Sequence, residues 1–344
     1  MRTRIFLWVA LIATGLFTAC NNDVAVESLK SGQEISFRLQ GGMPEVATRA
    51  LATTIDNLDA FVVFGTDNVL AATNELLFNG VNVSRKLDYF TNSASFTYAP
   101  ALYYSENASQ AGFFAFSPIS AIDLANIDVT NISAGASFDY TVPAPGVNGD
   151  GNIAQVDLLV AGAAVAGTPI PTTVNLSFEH ALSRIFITAS NATPDPVIIK
   201  ELKLLNLVTT GTLIVDPTST WDWNLSSTVG NYAYILAESG VVVPGTTLPP
   251  PPDKLYVTSM EQGMMVLPQA TVNNGNDYTA GDFALEIIYD FANLENQTKY
   301  VYLIDGFPFE KSMQYRINIT FTGTAIDFDV DVDPFGPITE GIYP

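Results

Sequence analysis

Histidine is the side chain used most often for acid–base catalysis, and this sequence contains only one, His180. A Ser-His-acid triad would have to use His180, which follows Glu179 at the end of a strand-like segment. No G-x-S-x-G elbow, P-loop or G-x-G-x-x-G turn occurs in the sequence. We therefore interpret His180 as a structural residue bonded to a neighbouring strand, and we predict a protein that is not an enzyme and needs no cofactor.

Side chains that bind metals in proteins are also scarce. The usual zinc sites need several nitrogen and sulfur ligands, whereas this chain offers one histidine and one cysteine, Cys20. Asn148, Asp150 and Asn152 alternate as at the start of a calcium loop, but the glycine and the glutamate that such a loop needs further on are missing. A plain turn is the favoured interpretation, and we predict no metal site.

Trp221 and Trp223 are separated by one residue, so on a strand they would share one face. Such a pair would stack on sugar rings, and it supports an alternative function, that of a surface lipoprotein that binds carbohydrate. Because each tryptophan buries a large apolar area, we favour packing in a core or an interface.

The composition favours strands joined by turns. Hydrophobic residues make up 48% of the 344 residues and charged residues 14%, and there are 24 glycines and 20 prolines. The formal net charge of −21 repels the phosphates of nucleic acids, so we exclude nucleic acid as a partner. The length is sufficient for two domains of ordinary size.

The N-terminus has the features of a lipoprotein signal peptide. Arg2 and Arg4 precede an apolar run over residues 5–17, which is too short to span a bilayer comfortably and has the length of a signal-peptide core. Small residues then lead to Cys20 in a sequence that resembles a lipobox. We predict that residues 1–20 form the signal peptide and that Cys20 carries a lipid anchor of the palmitate type.

Short apolar stretches recur along the rest of the chain and predict an all-β fold. Examples are residues 61–64, 113–116, 174–178 and 315–321, and most such stretches are bounded by Gly, Asn, Asp or Pro. Residues 161–173 have the composition of a linker. The segments on either side are predicted to be an N-terminal β-sandwich domain over 50–168 and a C-terminal β-sandwich domain with a tail over 169–344.

Several segments carry a combination of motifs that is specific when taken together. They are Glu34-Ile35-Ser36-Phe37, Ala47-Thr48-Arg49-Ala50, Gly112-Phe113-Phe114-Ala115-Phe116-Ser117-Pro118, Val156-Asp157-Leu158-Leu159, Phe178-Glu179-His180-Ala181-Leu182-Ser183 and Leu267-Pro268-Gln269. In this combination the chain resembles the fimbrillin family of type V pili, which occurs in Gram-negative gut and oral anaerobes.

This resemblance implies two β-sandwich domains with transthyretin-like topology. It implies export as an outer membrane lipoprotein, display at the cell surface in a fimbrium that contributes to adhesion, and assembly with other pilus subunits, identical or different. Assembly would begin when an Arg-specific protease cuts between Arg49 and Ala50. Residues 21–49 are accordingly predicted to be a tether with a cleavable strand. The strand's apolar residues are Ile35, Phe37 and Leu39.

The C-terminal tail has a strict two-faced pattern. Ile326, Phe328, Val330 and Val332 alternate with four aspartates, so on a strand the apolar side chains share one face and the carboxylates the other. Two interpretations stand side by side. The tail either completes the C-terminal sheet of its own molecule, or it is the donor strand that fills the groove of the next subunit. The aspartates would also suit a hard cation, but a solvated face is favoured.

Overall fold

The fold is described from a computed structural model. The residues that it describes are 34–40, 58–67, 75–88, 93–121, 127, 136–145, 155–215, 220–236, 239–246, 254–258, 263–273, 281–303, 305–323 and 325–334. All of these residues belong to one structural unit, which begins at Gln33. Within these ranges no helix is long and apolar enough to cross a membrane.

The described residues form 23 strands, numbered here in chain order. They are β1 (Ser36–Leu39), β2 (Ala60–Asp67), β3 (Glu75–Asp88), β4 (Ser93–Thr97), β5 (Gln110–Ser117), β6 (Ala136–Thr141), β7 (Leu159–Ala166), β8 (Thr173–Leu176), β9 (Glu179–His180), β10 (Ser183–Asn191), β11 (Val197–Val208), β12 (Thr210–Val215), β13 (Trp221–Leu225), β14 (Val229–Ile235), β15 (Val241–Val243), β16 (Leu255–Tyr256), β17 (Met264–Val266), β18 (Gln269–Ala270), β19 (Ala284–Phe291), β20 (Leu294–Val301), β21 (Pro308–Phe309), β22 (Met313–Phe321) and β23 (Ile326–Pro334).

A six-stranded antiparallel sheet organises the N-terminal half, in the order β4-β3-β2-β5-β7-β9. The strands β2 and β5 are apolar along most of their length because both faces of this sheet are covered. Phe61 and Val63 enter one core, while Val62 and Phe64 enter the other. The strands β1 and β8 form a separate two-stranded parallel pair whose apolar side chains join the core around Phe61.

The C-terminal half is a sandwich built mainly from two five-stranded sheets. One sheet has the order β16-β10-β22-β23, with β17 also paired to β10, and the other has the order β14-β11-β19-β20, with β15 also paired to β11. Ile185 and Ile187 of β10 meet Leu202 and Leu204 of β11 in one core. The three-stranded sheet β13-β12-β6 and the pair β18-β21 complete the architecture. The predicted all-β sandwich class is confirmed.

The predicted linker over residues 161–173 is wrong in its first half. Residues up to Ala166 belong to β7, which pairs with both β5 and β9. Its small residues lie opposite large ones of β5, since Ala163 pairs with Phe113 and Gly162 with Phe114. A strand next to consecutive buried phenylalanines has little room for bulky side chains on either face, and this explains a composition that looks like a linker.

Three strand pairs cross the predicted domain boundary between residues 168 and 169. They are β8 with β1, β9 with β7, and β12 with β6. Backbone hydrogen bonds therefore join residues on the two sides of this boundary. The division into domains at this position stays a prediction.

Candidate functional site

The strand β1, predicted to be cleavable, is a buried element of the N-terminal core. Ile35 is 0% and Phe37 6% exposed, and Leu39 is half-buried. Ser36 and Arg38, which alternate with them, are exposed. This is the pattern of a strand that lays one face on a core and turns the other to solvent.

The backbone of residues 35–39 has partners on both sides. One edge pairs in parallel with β8, where Phe37 lies opposite Val174. On the other edge, the amide of Ile35 donates a hydrogen bond of 3.0 Å to the carbonyl oxygen of Leu102. The strand thus fills a slot between β8 and the segment that follows β4. Removal of β1 would leave both walls of this slot with unpaired backbone groups.

The side chain of Phe37 occupies an aromatic pocket. Four rings surround it, with centroid distances of 6.2 Å to Phe61, 5.3 Å to Phe78, 5.8 Å to Tyr98 and 5.8 Å to Phe113. Most of these contacts are edge-to-face, the arrangement that the aromatic quadrupole favours. The pocket is therefore matched to an aromatic side chain at the centre of the strand.

Gly65 of β2 makes room for one wall of this pocket. It lies opposite Phe113 in the sheet, and a Cβ atom at this position would be 2.5 Å from a carbon of the Phe113 ring. That distance is far inside van der Waals contact, so a glycine is required here for the ring to lie across the strand and face Phe37.

Two tyrosine hydroxyl groups donate hydrogen bonds to backbone carbonyl oxygens of the slot. The hydroxyl group of Tyr98 donates to the carbonyl oxygen of Ile35, and that of Tyr104 donates to the carbonyl oxygen of Pro171 at 3.0 Å, just before β8. Burial raises the pKa of Tyr98 to about 12 and also raises the pKa of Tyr104. Both hydroxyl groups therefore remain hydrogen-bond donors at neutral pH.

The strand β23, the candidate donor, lies in the sheet of its own molecule. It pairs antiparallel with β22 from Ile326 opposite Phe321 to Pro334 opposite Met313, and among the described strands it lies at one edge of this sheet. Its apolar face is covered only in part, since Ile326 and Val330 pack against the core whereas Phe328 is 42% and Val332 44% exposed. The interpretation that the tail completes its own sheet therefore describes this molecule, and release of β23 as a donor stays a prediction.

The predicted structural role of His180 agrees with its surroundings. Its Nδ1 atom lies 2.8 Å from Oδ1 of Asp157, and both side chains are buried. Arg184 is buried nearby, and its guanidinium donates to Oε1 of Gln314 at 2.7 Å. Burial lowers the pKa of Arg184 to about 10, whereas the charge of Asp157 acts to raise it. A buried carboxylate that faces both a histidine and an arginine serves here to hold strands together.

The tryptophan pair does not form an open platform. Trp221 is 6% exposed, and Nζ of Lys311 lies 3.7 Å from the centroid of its ring. Trp223 is half-buried, and its indole N–H donates to the carbonyl oxygen of Ala181 at 2.8 Å. The interpretation of Trp221 as a core residue is confirmed. In the described part of the chain, no group of three or more His, Cys, Asp or Glu side chains is arranged to hold a metal ion.

A family comparison decides the classification of this chain. The model of the family described as "Fimbrillin-like" matches residues 48–334. The chain belongs to the fimbrillin-like family. The family resemblance that was derived from the sequence motifs is therefore confirmed.

Solved structures with a similar fold exist for proteins of several Bacteroides species. A fimbrial protein of Bacteroides vulgatus is 17% identical to this fimbrillin-like chain, with a TM-score of 0.57 over 88% of this chain and 99% of that one. A candidate cell adhesion protein of Bacteroides ovatus is 13% identical, with a TM-score of 0.53 over 90% and 100% of the two chains. No curated protein sequence matches significantly. At these identities the likeness concerns the fold.

Some residues of the slot that holds β1 can be predicted from the sequence, and others cannot. Ile35, directly before β1, and Phe37 and Leu39 of β1 pack into the same core, and their role as a cleavable strand stays a prediction. Cys20, Arg49 and Ala50, the predicted lipidation and processing residues, lie outside the described residues. Tyr98 and Gly65 carry no signal in the sequence, because a loop tyrosine and a strand glycine acquire their roles only from contacts between distant segments.

Proposed function

We propose that this protein is a structural subunit of a surface fimbria, exported as an outer membrane lipoprotein and assembled by protease-triggered strand exchange. Membership of the fimbrillin-like family supports the fimbrial role. Within this proposal, Cys20 carries the lipid anchor, an Arg-specific protease is the activating partner, and other pilus subunits are the assembly partners. The fimbria contributes to adhesion at the cell surface.

The observation that carries the proposal is the docking of β1. A short N-terminal strand supplies two buried side chains, Ile35 and Phe37, to the core of a domain whose next strand among the described residues starts at Ala60. Burial of two such side chains is worth roughly 3–6 kcal/mol. Cleavage between the two strands would let β1 leave, and the vacated slot would regain this burial only by accepting another strand.

Strand addition of this kind produces a filament for a geometric reason. The slot lies beside β8 in the N-terminal half, whereas the tail that would fill it extends from the C-terminal half. Donor and acceptor are different surfaces, so each contact leaves a free donor at one end and a free acceptor at the other. The chain of contacts therefore propagates without closing.

The distribution of arginines supports Arg49 as the processing site. Beyond the signal peptide the sequence has arginines at positions 38, 49, 85, 184 and 316. Arg38, Arg85, Arg184 and Arg316 lie within β1, β3, β10 and β22. A protease needs an extended segment that is free to enter its cleft, and a backbone paired within a sheet does not offer one.

Limited digestion followed by electron microscopy tests the proposal. An Arg-specific protease is expected to produce one stable fragment that begins at Ala50 and then forms filaments. The variant Arg49→Lys keeps the positive charge and removes the cleavage site, so it is expected to remain uncut and monomeric. Rapid degradation of the wild-type chain, or a stable fragment that never forms filaments, would contradict the proposal.

A further inference from the structure

The two strands of the proposed exchange share a sequence pattern that is rare in this chain. Of the 21 phenylalanines, only Phe37 and Phe328 have Ile, Leu or Val at both positions two residues away. The first triplet is Ile35, Phe37 and Leu39, and the second is Ile326, Phe328 and Val330. The first triplet lies along β1, with Ile35 directly before the strand, and the second lies on β23, so in each case the three apolar side chains share one face.

The two triplets differ sharply in how well they are covered. Phe37 is 6% exposed in its aromatic pocket, whereas Phe328 is 42% exposed at the edge of its sheet. The strand β23 thus carries an aromatic centre that its own sandwich does not enclose. The pocket around Phe37 would enclose it, since the pocket walls are the four rings described above.

From this match we infer the register and direction of the exchange, which rests on the proposed function. The strand β23 of a second copy of this chain takes the place of β1, runs parallel to β8, and puts Phe328 into the pocket of Phe37. Ile326 replaces Ile35 and Val330 replaces Leu39. In this register, the amide of Ile326 faces the carbonyl oxygen of Leu102, which accepts from the amide of Ile35 before cleavage.

The polar residues of β23 are compatible with this register. Asp327 and Asp329 take the positions of Ser36 and Arg38, both of which are exposed. Asp329 then lies beside Asn175, the partner of Arg38 in β8, which is also exposed. The carboxylates consequently remain in water, and no charge is buried by the exchange.

The direction follows from the two ends of the slot. The end that holds Ile35 is closed, with this side chain 0% exposed, while the end that holds Leu39 is half-open. The parallel direction returns an isoleucine to the closed end and puts the smaller Val330 at the open one. The antiparallel direction would put valine at the closed end and leave a gap where packing is tight.

Disulfide trapping distinguishes the two directions. In a Cys20→Ala background, Asp329→Cys is combined either with Asn175→Cys or with Thr173→Cys, all at exposed positions. After cleavage at Arg49, the parallel register puts position 329 opposite 175, and the antiparallel register puts it opposite 173. We expect covalent multimers from the pair 329/175 at a yield at least tenfold above the pair 329/173.

A second pair of variants tests the role of Phe328. Phe328→Ala is expected to leave the uncut monomer folded, since the side chain is 42% exposed, and to lower filament yield at least tenfold. Val332→Ala removes a side chain that is 44% exposed and lies outside the matched triplet, so its filament yield should stay within twofold of wild type.

The outcomes separate this inference from the proposed function. Filaments of the wild-type chain with multimers only from the pair 329/173 would overturn the direction. Filaments without trapping in either pair, or lost when residues 335–344 alone are deleted, would overturn β23 as the donor. If the wild-type chain is cleaved at Arg49 but forms neither filaments nor multimers, both the proposed function and the inferred register fail.

Discussion

The hydroxyl group of Tyr98 donates a hydrogen bond to the carbonyl oxygen of Ile35, the first buried residue of the removable strand. Burial raises the pKa of Tyr98 from its ordinary value of 10.0 to about 12, so the folded protein keeps this proton where the unfolded chain loses it. The resulting stability is fully present below pH 10 and is lost as the pH rises through about 12.

We therefore expect the free energy of unfolding to fall between pH 10 and pH 12, and to fall less steeply in Tyr98→Phe. Urea unfolding of both proteins at pH 8, 10 and 11 measures the difference. Other buried tyrosines contribute to the slope in both proteins, so the prediction concerns the difference alone. Parallel slopes for the two proteins would show that the hydroxyl of Tyr98 does not titrate with folding.

Truncation of the central strand residue should weaken the uncut monomer. Phe37→Ala removes a buried ring that contacts four others, and we expect a loss of about 3–5 kcal/mol in the free energy of unfolding. Arg38→Ala, one residue later on the exposed face, should change it by less than about 0.5 kcal/mol. Urea titration of both variants provides the comparison, and equal effects would mean that β1 is not docked in solution.

A single methyl group added at Gly65 should destabilise the aromatic pocket around Phe37. Gly65→Ala puts a carbon 2.5 Å from the ring of Phe113, so we expect a destabilisation of about 1–3 kcal/mol. The double variant Gly65→Ala with Phe113→Leu should recover part of the loss, because the smaller side chain relieves the clash. Additive losses in this double-mutant cycle would show that the ring is not the source of the strain.

The stability of the fold should depend on the carboxylate of Asp157. Asp157→Ala leaves His180 without its 2.8 Å partner and Arg184 without a nearby negative charge, so we expect a loss of about 3–5 kcal/mol. Glu295→Ala removes an exposed carboxylate and serves as the control, with an expected change below about 0.5 kcal/mol. Thermal unfolding of both variants is sufficient, and similar melting temperatures would contradict the prediction.

Lipid attachment is tested independently of the fold. The sequence has one cysteine, so Cys20→Ala should abolish metabolic labelling by a fatty acid while the chain is still exported. Labelling that persists in this variant would mean that no lipid is attached at Cys20.

The strands themselves were largely predictable, because period-2 alternation reports directly on which face is buried. The runs around Phe61, Phe113 and Val174 all became strands. The partners of these strands were not predictable in the same way. Alternation in β1 indicates a buried face, but nothing local indicates that Phe37 lies opposite Val174, more than a hundred residues further along the chain.

The error over residues 161–173 has a different physical origin. Alanine and glycine carry little information about burial, so β7 was interpreted as a linker. Its composition is explained by the neighbouring strand, where Phe113 and Phe114 fill both faces of the sheet. The role of Tyr98 could not be predicted for a similar reason. A loop tyrosine shows no periodic pattern in the sequence, and its role depends on the distant strand that accepts its hydrogen bond.

Because four arginines lie within strands, an Arg-specific protease would distinguish folded subunits from misfolded ones. An Arg-specific protease that meets a correctly folded subunit finds Arg38, Arg85, Arg184 and Arg316 within paired strands. The same enzyme acting on a misfolded copy would find all four in extended, accessible chain and would degrade it. Activation and quality control would then be a single reaction, and defective subunits would be destroyed before they could terminate a growing fibre.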